Sequence, residues 1–303
     1  MTLVPAGSTL VVTARPAELW ANDATARVVA ALFPADQLDR FSQRTGVDPR
    51  ELSELVVAEH PDGRVVLARG PFDAELAVRE AGERMAPLES SVDEPLVRRA
   101  GFLGARRIDV AALDEHAVGW VDGTPQLAAR VFAMARQPPP ARRHALAGEG
   151  ASALRARFGD APFALFAPRP LGLPLDTGVG MLLARQRLLA AAARVTEDGA
   201  LRVDADFRGE FPTSAHDNFR TLARSLAETD LGAALGLREA LPSLRIEADD
   251  TRVALSARFD PAILASGLRA VLVAEIRELL EPGPAAARRG SAVGPTGRPA
   301  EGL

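Results

Sequence analysis

The stretch VVLARGPFDAEL (Val65 to Leu76) is echoed by VALSARFDPAIL (Val253 to Leu264). Each runs an apolar strand into Arg, then Phe-Asp, then a segment with helical spacing. Asp73 and Asp260 stand where a helix N-cap belongs, because a carboxylate oxygen accepts the first free N–H groups of a helix. Pro261 fits the first helical position, whose N–H has no intrahelical partner. The Phe reads as the last inward strand residue. The echo is a local grammar of strand, cap and helix, which explains the two aspartates without a ligand.

Four segments follow this grammar as a β-hairpin and then a helix. They are 54–70 with 71–85, 105–123 with 124–136, 187–211 with 212–228, and 243–259 with 260–280. Asp62-Gly63 and Asp198-Gly199 supply residues suited to tight hairpin turns. In the later pairs the alternation is clean. Leu201, Val203, Ala205 and Phe207 face one way, and Arg202, Asp204, Asp206 and Arg208 the other. Val253, Leu255, Ala257 and Phe259 likewise oppose Arg252, Ala254, Ser256 and Arg258. That period of two predicts an antiparallel sheet with one face buried.

Each half also opens on a strand broken by proline, at Leu10–Pro16 and at Phe163–Pro170. Helical material follows, clearly over 23–33 and loosely over 178–184. A further short strand is expected near Leu96 to Leu103, and a helix over 141–159. The plan is strand, helix, hairpin, helix, hairpin, helix, stated twice. A ββα unit cannot bury its apolar face alone, so copies placed edge to edge build a shared sheet. The expected fold class is α+β: two similar domains of repeated ββα units, antiparallel sheets with helices packed on one face. The domains are 1–138 and 144–281, joined by a Pro-rich linker over 139–143. The final helix carries a predicted core stripe of Leu264, Leu268, Val271, Leu272 and Leu279. Residues 282–303, rich in Pro, Gly and Ala, read as a disordered tail.

Composition excludes several chemistries. The 303 residues include no Cys, no Tyr and no Lys, so all 36 basic residues are Arg. Thiolate nucleophiles, Cys-based metal sites, disulfides, Schiff-base lysines and a P-loop are therefore ruled out. Net charge is −4, and basic residues cluster along the chain only as short pairs such as Arg142-Arg143, which argues against nucleic-acid binding. The most apolar helix carries Arg269, Glu275 and Arg277, so no membrane-spanning segment is expected. No signal peptide is visible at the start of the sequence as given.

The run from Gly46 to Glu83 resembles a diffuse group of extracytoplasmic bacterial proteins, often lipoproteins, in the style of the DUF3352-like families. Their pattern is a Gly-x-Asp-Pro helix entry, a hairpin ending in Arg-Gly-x-Phe-Asp, then a helix. Here those positions are Gly46, Asp48, Pro49, Arg69, Gly70, Phe72 and Asp73. The opening Val4–Pro16 is similar to their start, and the match covers roughly the first 85 residues. The group brings no activity with it. The resemblance implies a place outside the cytoplasm, with a lipid anchor if a signal and lipobox Cys lie upstream of residue 1. The alternative is a cytoplasmic protein.

Candidate chemistry is sparse. Asp176 lies in Asp-Thr-Gly after an apolar pair, as in dimeric aspartic proteases, where two close carboxylates share a proton. The plain reading is a loop aspartate that caps a helix. Gly178-Val179-Gly180 lacks the third glycine of a dinucleotide fingerprint, because position 183 is Leu. His60, His116, His144 and His216 are scattered, and Ser214 with Asp217 beside His216 is ordinary helix-start composition. Trp20, just after a strand break, is the candidate for a partner surface; Trp120 reads as core. No catalytic residue beyond Asp176, no metal ligand, no cofactor and no small-molecule ligand is predicted. The leading expectation is a non-enzymatic, envelope-associated protein acting in binding or structure on an unidentified protein or envelope component. A hydrolase centred on Asp176 and a cytosolic scaffold are the alternatives.

Overall fold

Val56, Ala58, Val65 and Leu67 alternate along two paired strands, and all four are buried. Gly63 closes the turn between them with φ +140°, and a Cβ there would stand 2.2 Å from the Asp122 carbonyl oxygen. The turn therefore requires glycine. This hairpin belongs to a computed structural model that describes residues 3–88, 97–138, 144–170, 180, 183 and 185–280, with 271–280 as backbone.

The first half contains β1 (Leu10–Ala14), α1 (Pro16–Ala21), α2 (Asp23–Leu32), α3 (Ala35–Thr45), β2 (Glu54–His60) and β3 (Gly63–Arg69). It continues with α4 (Ala74–Gly82), β4 (Ala86–Pro87), β5 (Arg98–Leu103), β6 (Arg106–Asp114), β7 (Ala117–Gly123) and α5 (Pro125–Arg136). The second half contains α6 (Glu149–Phe158), β8 (Phe163–Ala167), β9 (Gln186–Val195), β10 (Leu201–Gly209), α7 (Ala215–Glu228) and α8 (Asp230–Ala234). It ends with α9 (Leu237–Ala240), β11 (Arg245–Ala248), β12 (Arg252–Phe259) and α10 (Pro261–Leu280).

The described strands form one twelve-stranded antiparallel sheet in the order β11-β12-β10-β9-β8-β1-β2-β3-β7-β6-β5-β4. The order reads outward from β1 and β8 in the same way on both sides. First strand, first hairpin and second hairpin follow in turn, and the second strand of each second hairpin lies innermost. The fold is thus α+β, built of repeated ββα units. β1 and β8 meet antiparallel at the centre, with Val12 opposite Leu165.

One face of the sheet centre is covered by α5 and α6. Leu127, Val131 and Phe132 of α5 and Leu154 and Phe158 of α6 share a core with Val11, Val65, Val121, Phe166 and Ala190. That core draws on residues from both halves. The opposite face carries two smaller cores. One sets Ala77 and Val78 of α4 against Ile108 and Val110. The other sets Phe219 of α7 against Phe207, Phe211 and Val253, with the Phe207 and Phe219 ring centres 5.3 Å apart. The helices thus lie on both faces of the sheet, not on the single face expected. The physical reason lies in strands such as β6, where Val110 and Ala111 are both fully buried on opposite sides and each side needs its own cover.

The echo has a structural reason. In both copies the strand-end arginine pairs with an aspartate in the neighbouring hairpin turn: Arg69 with Asp114 at 2.5 Å, and Arg258 with Asp198. Asp73 Oδ1 then accepts from Leu76 N at 2.9 Å, and Asp260 Oδ1 accepts from Ala262 N at 2.7 Å. Backbone bonds make the same stitch in other units, such as Thr124 N to Asp62 O and Phe211 N to Asp250 O. Phe259 ends β12, whereas Phe72 lies beyond β3 and fills the α4 core.

The short strand expected near Leu96 to Leu103 is present as β5. The helix expected over 141–159 is described from Glu149, because His144 bridges to Pro5 and Ala145 N bonds Val4 O, holding that stretch extended. The buried residues of α10 are Ala265 and Gly267, with Leu264 and Leu268 half-buried. A Cβ at Gly267 would stand 2.0 Å from Ala234 O, so a close approach to the end of α8 decides which side of α10 faces inward. The linker 139–143 and the tail 282–303 lie outside the described residues.

The strap formed by residues 4–8 lies between two histidines. His60 is 6% exposed at its side chain; its Nδ1 accepts from Asp62 N at 3.1 Å, while Nε2 is buried without a hydrogen-bond partner. Burial holds His60 below the ordinary histidine range, with Arg130 and Arg169 adding to the effect and Asp62 and the Ala6 backbone opposing it. Burial and then Arg155 do the same for His144.

Two outcomes are expected. Removing either cap, as Asp73→Ala or Asp260→Ala, lowers stability by about 1 kcal/mol in urea unfolding, whereas Asp→Asn at the same site costs a few tenths. The histidines give a pH dependence. The unfolded chain takes up their protons first, so their contribution is present above about pH 6.5 and is lost as the pH falls toward the lowered values. The urea midpoint should drop between about pH 7.5 and 5.5, and the drop should shrink in His60→Gln. An unchanged midpoint across that window contradicts the assignment.

Candidate functional site

The structure separates most of the residues that the sequence singled out. Asp176 lies outside the described residues, as do Gly178 and Val179. His216 Nδ1 sits 3.0 Å from Asp217 Oδ1 on the exposed start of α7, while Ser214 Oγ accepts from Asn218. That is a helix-start network rather than a catalytic triad. His116 Nδ1 lies 3.2 Å from the Phe72 carbonyl oxygen, at the corner between β3 and α4. Trp20 is half-buried on α1, and Trp120 is half-buried against the α4 core. Among the described residues, no group of three or more His, Asp or Glu is placed to hold a metal ion.

Two grooves form at the echoed corners. One, of about 870 Å³, lies between the first turn of α2, the β9–β10 turn and the segment Arg258–Ala262. The other, of about 750 Å³, lies between Pro71–Glu75 and the β6–β7 turn at Asp114–His116. Their polar groups are engaged in holding the corners. Thr196 bonds Asp198, and with Arg258 this keeps the Asp198 carboxyl below its usual range. Burial alone would raise the Asp114 carboxyl, but the His116 N–H and Arg69 outweigh it and lower it.

A third feature is assembled by strand pairing. On the α6 side of the sheet, Arg202 stands between Arg194 and Arg258, and Arg208 stands opposite Arg252. Arg245 faces the same way from β11, opposite Ser256, and Arg157 reaches in from α6. Beneath them lies Asp206, fully buried. Its Oδ2 takes Arg157 at 2.5 Å and Arg252 at 2.9 Å, and Arg208 Nε stands 2.7 Å from Oδ1 at an angle that makes no hydrogen bond. Asp204, 11% exposed at its side chain, takes Arg202 at 3.0 Å. The carboxylates are below and the guanidinium groups above: Arg157, Arg202, Arg208 and Arg258 remain 40–52% exposed. The sequence showed the alternating arginines but not their gathering, because their neighbours come from four strands and a helix.

Comparison with known proteins bears on the fold. No known family pattern matches the chain, and no curated protein matches it in sequence. Among solved structures, the chain is similar to TP0453. Against crystal form III the TM-score is 0.53 at 9% identity, covering 89% of this chain and 97% of that one. Against crystal form IV the TM-score is 0.52 at 8% identity, covering 88% and 95%. The likeness spans nearly the whole of both chains and concerns architecture. No described helix is long and apolar enough to cross a membrane.

The buried carboxylate gives a stability test. Asp206→Ala leaves three guanidinium groups over a site with no counter-charge and should cost about 3–5 kcal/mol in urea unfolding. Asp206→Asn keeps the shape and isolates the charge. A loss below about 1 kcal/mol in both would show that water supplies what Asp206 supplies here.

Proposed function

We propose that this chain is a non-enzymatic protein of the cell envelope, acting by binding or as a structural element. The observation that carries the reading is that the residues of the shared Gly-x-Asp-Pro and Arg-Gly-x-Phe-Asp pattern all have architectural work. Gly46 ends α3 at φ +67°. Asp48 accepts from Arg50 N at 2.9 Å and, with Pro49, starts the short 3-10 turn at Pro49–Glu51. Arg69 ties β3 to the next hairpin, and Gly70 lets Leu52 approach to 3.0 Å of where a Cβ would stand. Phe72 is core and Asp73 is a cap.

A pattern made of turns, caps and one core residue is a signature of folding. It supports a family held together by shape rather than by a reaction. The engaged polar groups at the two corner grooves point the same way, since a catalytic group needs freedom to bind and exchange protons with a substrate. Location outside the cytoplasm rests on the resemblance of the first 85 residues or so.

The test is fractionation of the native cell with mass spectrometry of the mature N-terminal peptide. A lipid-modified Cys upstream of residue 1, recovered in the membrane fraction, is the expected result. An N-terminus at Met1 or Thr2 in the soluble fraction would overturn the envelope reading.

A further inference from the structure

We infer that the arginine face of β9, β10, β12 and β11 is a docking surface for an acidic α-helix of a protein partner. The inference concerns a surface and stands whether or not the protein proves to be envelope-associated.

The two repeats differ at one place. In the first, the helix after the second hairpin, α5, folds back over β6 and β7 and buries Val121 and Ala111. In the second, the corresponding helix, α10, leaves the sheet and packs against α2 and α8. Among the described residues, no helix covers β10, β12 and β11 on that face. The strand positions have changed to match. Where β3 presents Val65 and Leu67, β10 presents Arg202, Asp204, Asp206 and Arg208. The symmetry of the fold sets a helix in this position, and the second repeat does not supply its own.

Charge selects the occupant. Seven arginines point to this face: 157, 194, 202, 208, 245, 252 and 258. The two carboxylates among them are buried, so each guanidinium bonded downward still turns other N–H donors to the outside. This is a positive face on a chain whose net charge is −4. The chain's own tail is a poor match: residues 282–303 hold Arg288, Arg289 and Arg298 against Glu301. A second copy is equally unsuited, because no described helix of this chain carries more than one net negative charge.

Spacing suits a helix lying along the strands. Alternate residues of a strand are ~6.7 Å apart. Helix residues four apart rise ~6 Å along the axis. Carboxylates at every fourth position of a helix therefore step nearly in register with Arg202 and its neighbours on β10. The guanidinium fork binds a carboxylate through two parallel N–H bonds, which favours Arg over a point charge for such a seat.

The test uses the whole chain and a fluorescein-labelled helical peptide of Glu, Leu and Ala, with Glu at i and i+4. Anisotropy is read at low and high salt. The expected result is salt-sensitive binding that falls at least tenfold in Arg202→Glu/Arg245→Glu and is unchanged in Arg220→Glu on α7. A Lys-for-Glu peptide should not bind. Arg202 and Arg245 are exposed, so the variant should keep its unfolding midpoint; if it does not, Arg202→Gln/Arg245→Gln replaces it. Absence of binding, or equal weakening by Arg220→Glu, overturns the proposal. So does tighter binding of phosphatidylglycerol vesicles or of single-stranded DNA through the same two arginines, which would give the face to a lipid surface or a nucleic acid.

Discussion

β1 and β8 lie side by side at the centre of the sheet, Val12 opposite Leu165, and the rest of the architecture depends on that pairing. Without it, each repeat would end in a strand with a row of unpaired N–H and C=O groups, an edge open to association. With it, a seven-stranded half and a five-stranded half become one sheet, and Val11 and Phe166 turn to the same side. Phe158 and Leu154 of α6 then close a core that neither half holds alone. The outer edges are treated differently. β4 is two residues long and contains Pro87, while β11 has four residues and carries the charged Arg245 and Glu247.

From that join the helices follow by elimination. Strands near the middle bury side chains on both faces and need cover on both. α5 and α6 supply one side, and α4 and α7 the other. Toward β10 and β12 one face is no longer needed for the core, and there the chain places arginines over buried carboxylates. Asp206 is the anchor of that arrangement. Burying a charge without partners is costly, and three guanidinium groups around one carboxylate offset that cost while fixing the side chains in place. The freedom of α10 to pack on α2 instead of the sheet is the same fact seen from the helix: a charged face offers nothing for its apolar side to bury.

Much of this was legible in the sequence. The alternation at 201–208 and 252–259, the Asp-Gly turns and the Asp73 and Asp260 caps predicted hairpins and helix starts at the right places, and the doubled plan predicted an antiparallel α+β fold with shared strands. The candidate surface was legible only as a list. Arg202 and Arg208 read as the solvated side of one strand, and Arg157 and Arg194 as unrelated. The pairing of β10 with both β9 and β12 made them neighbours. His60 and His144 are a similar case, since nothing within their own segments shows that residues 4–8 pass between them.

The sequence by itself determined the local units, because a cap, a turn or a period of two depends on residues a few positions apart. Only the tertiary structure decided which edges pair, which faces are covered and where α10 goes. Those outcomes depend on contacts such as Val12 with Leu165, Arg157 with Asp206 and Gly267 with Ala234, between segments that carry no mark of one another. Burial is a property of the assembled sheet. The same strand pattern can therefore face a helix in one repeat and solvent in the other, and the difference becomes visible only when the strands are laid side by side.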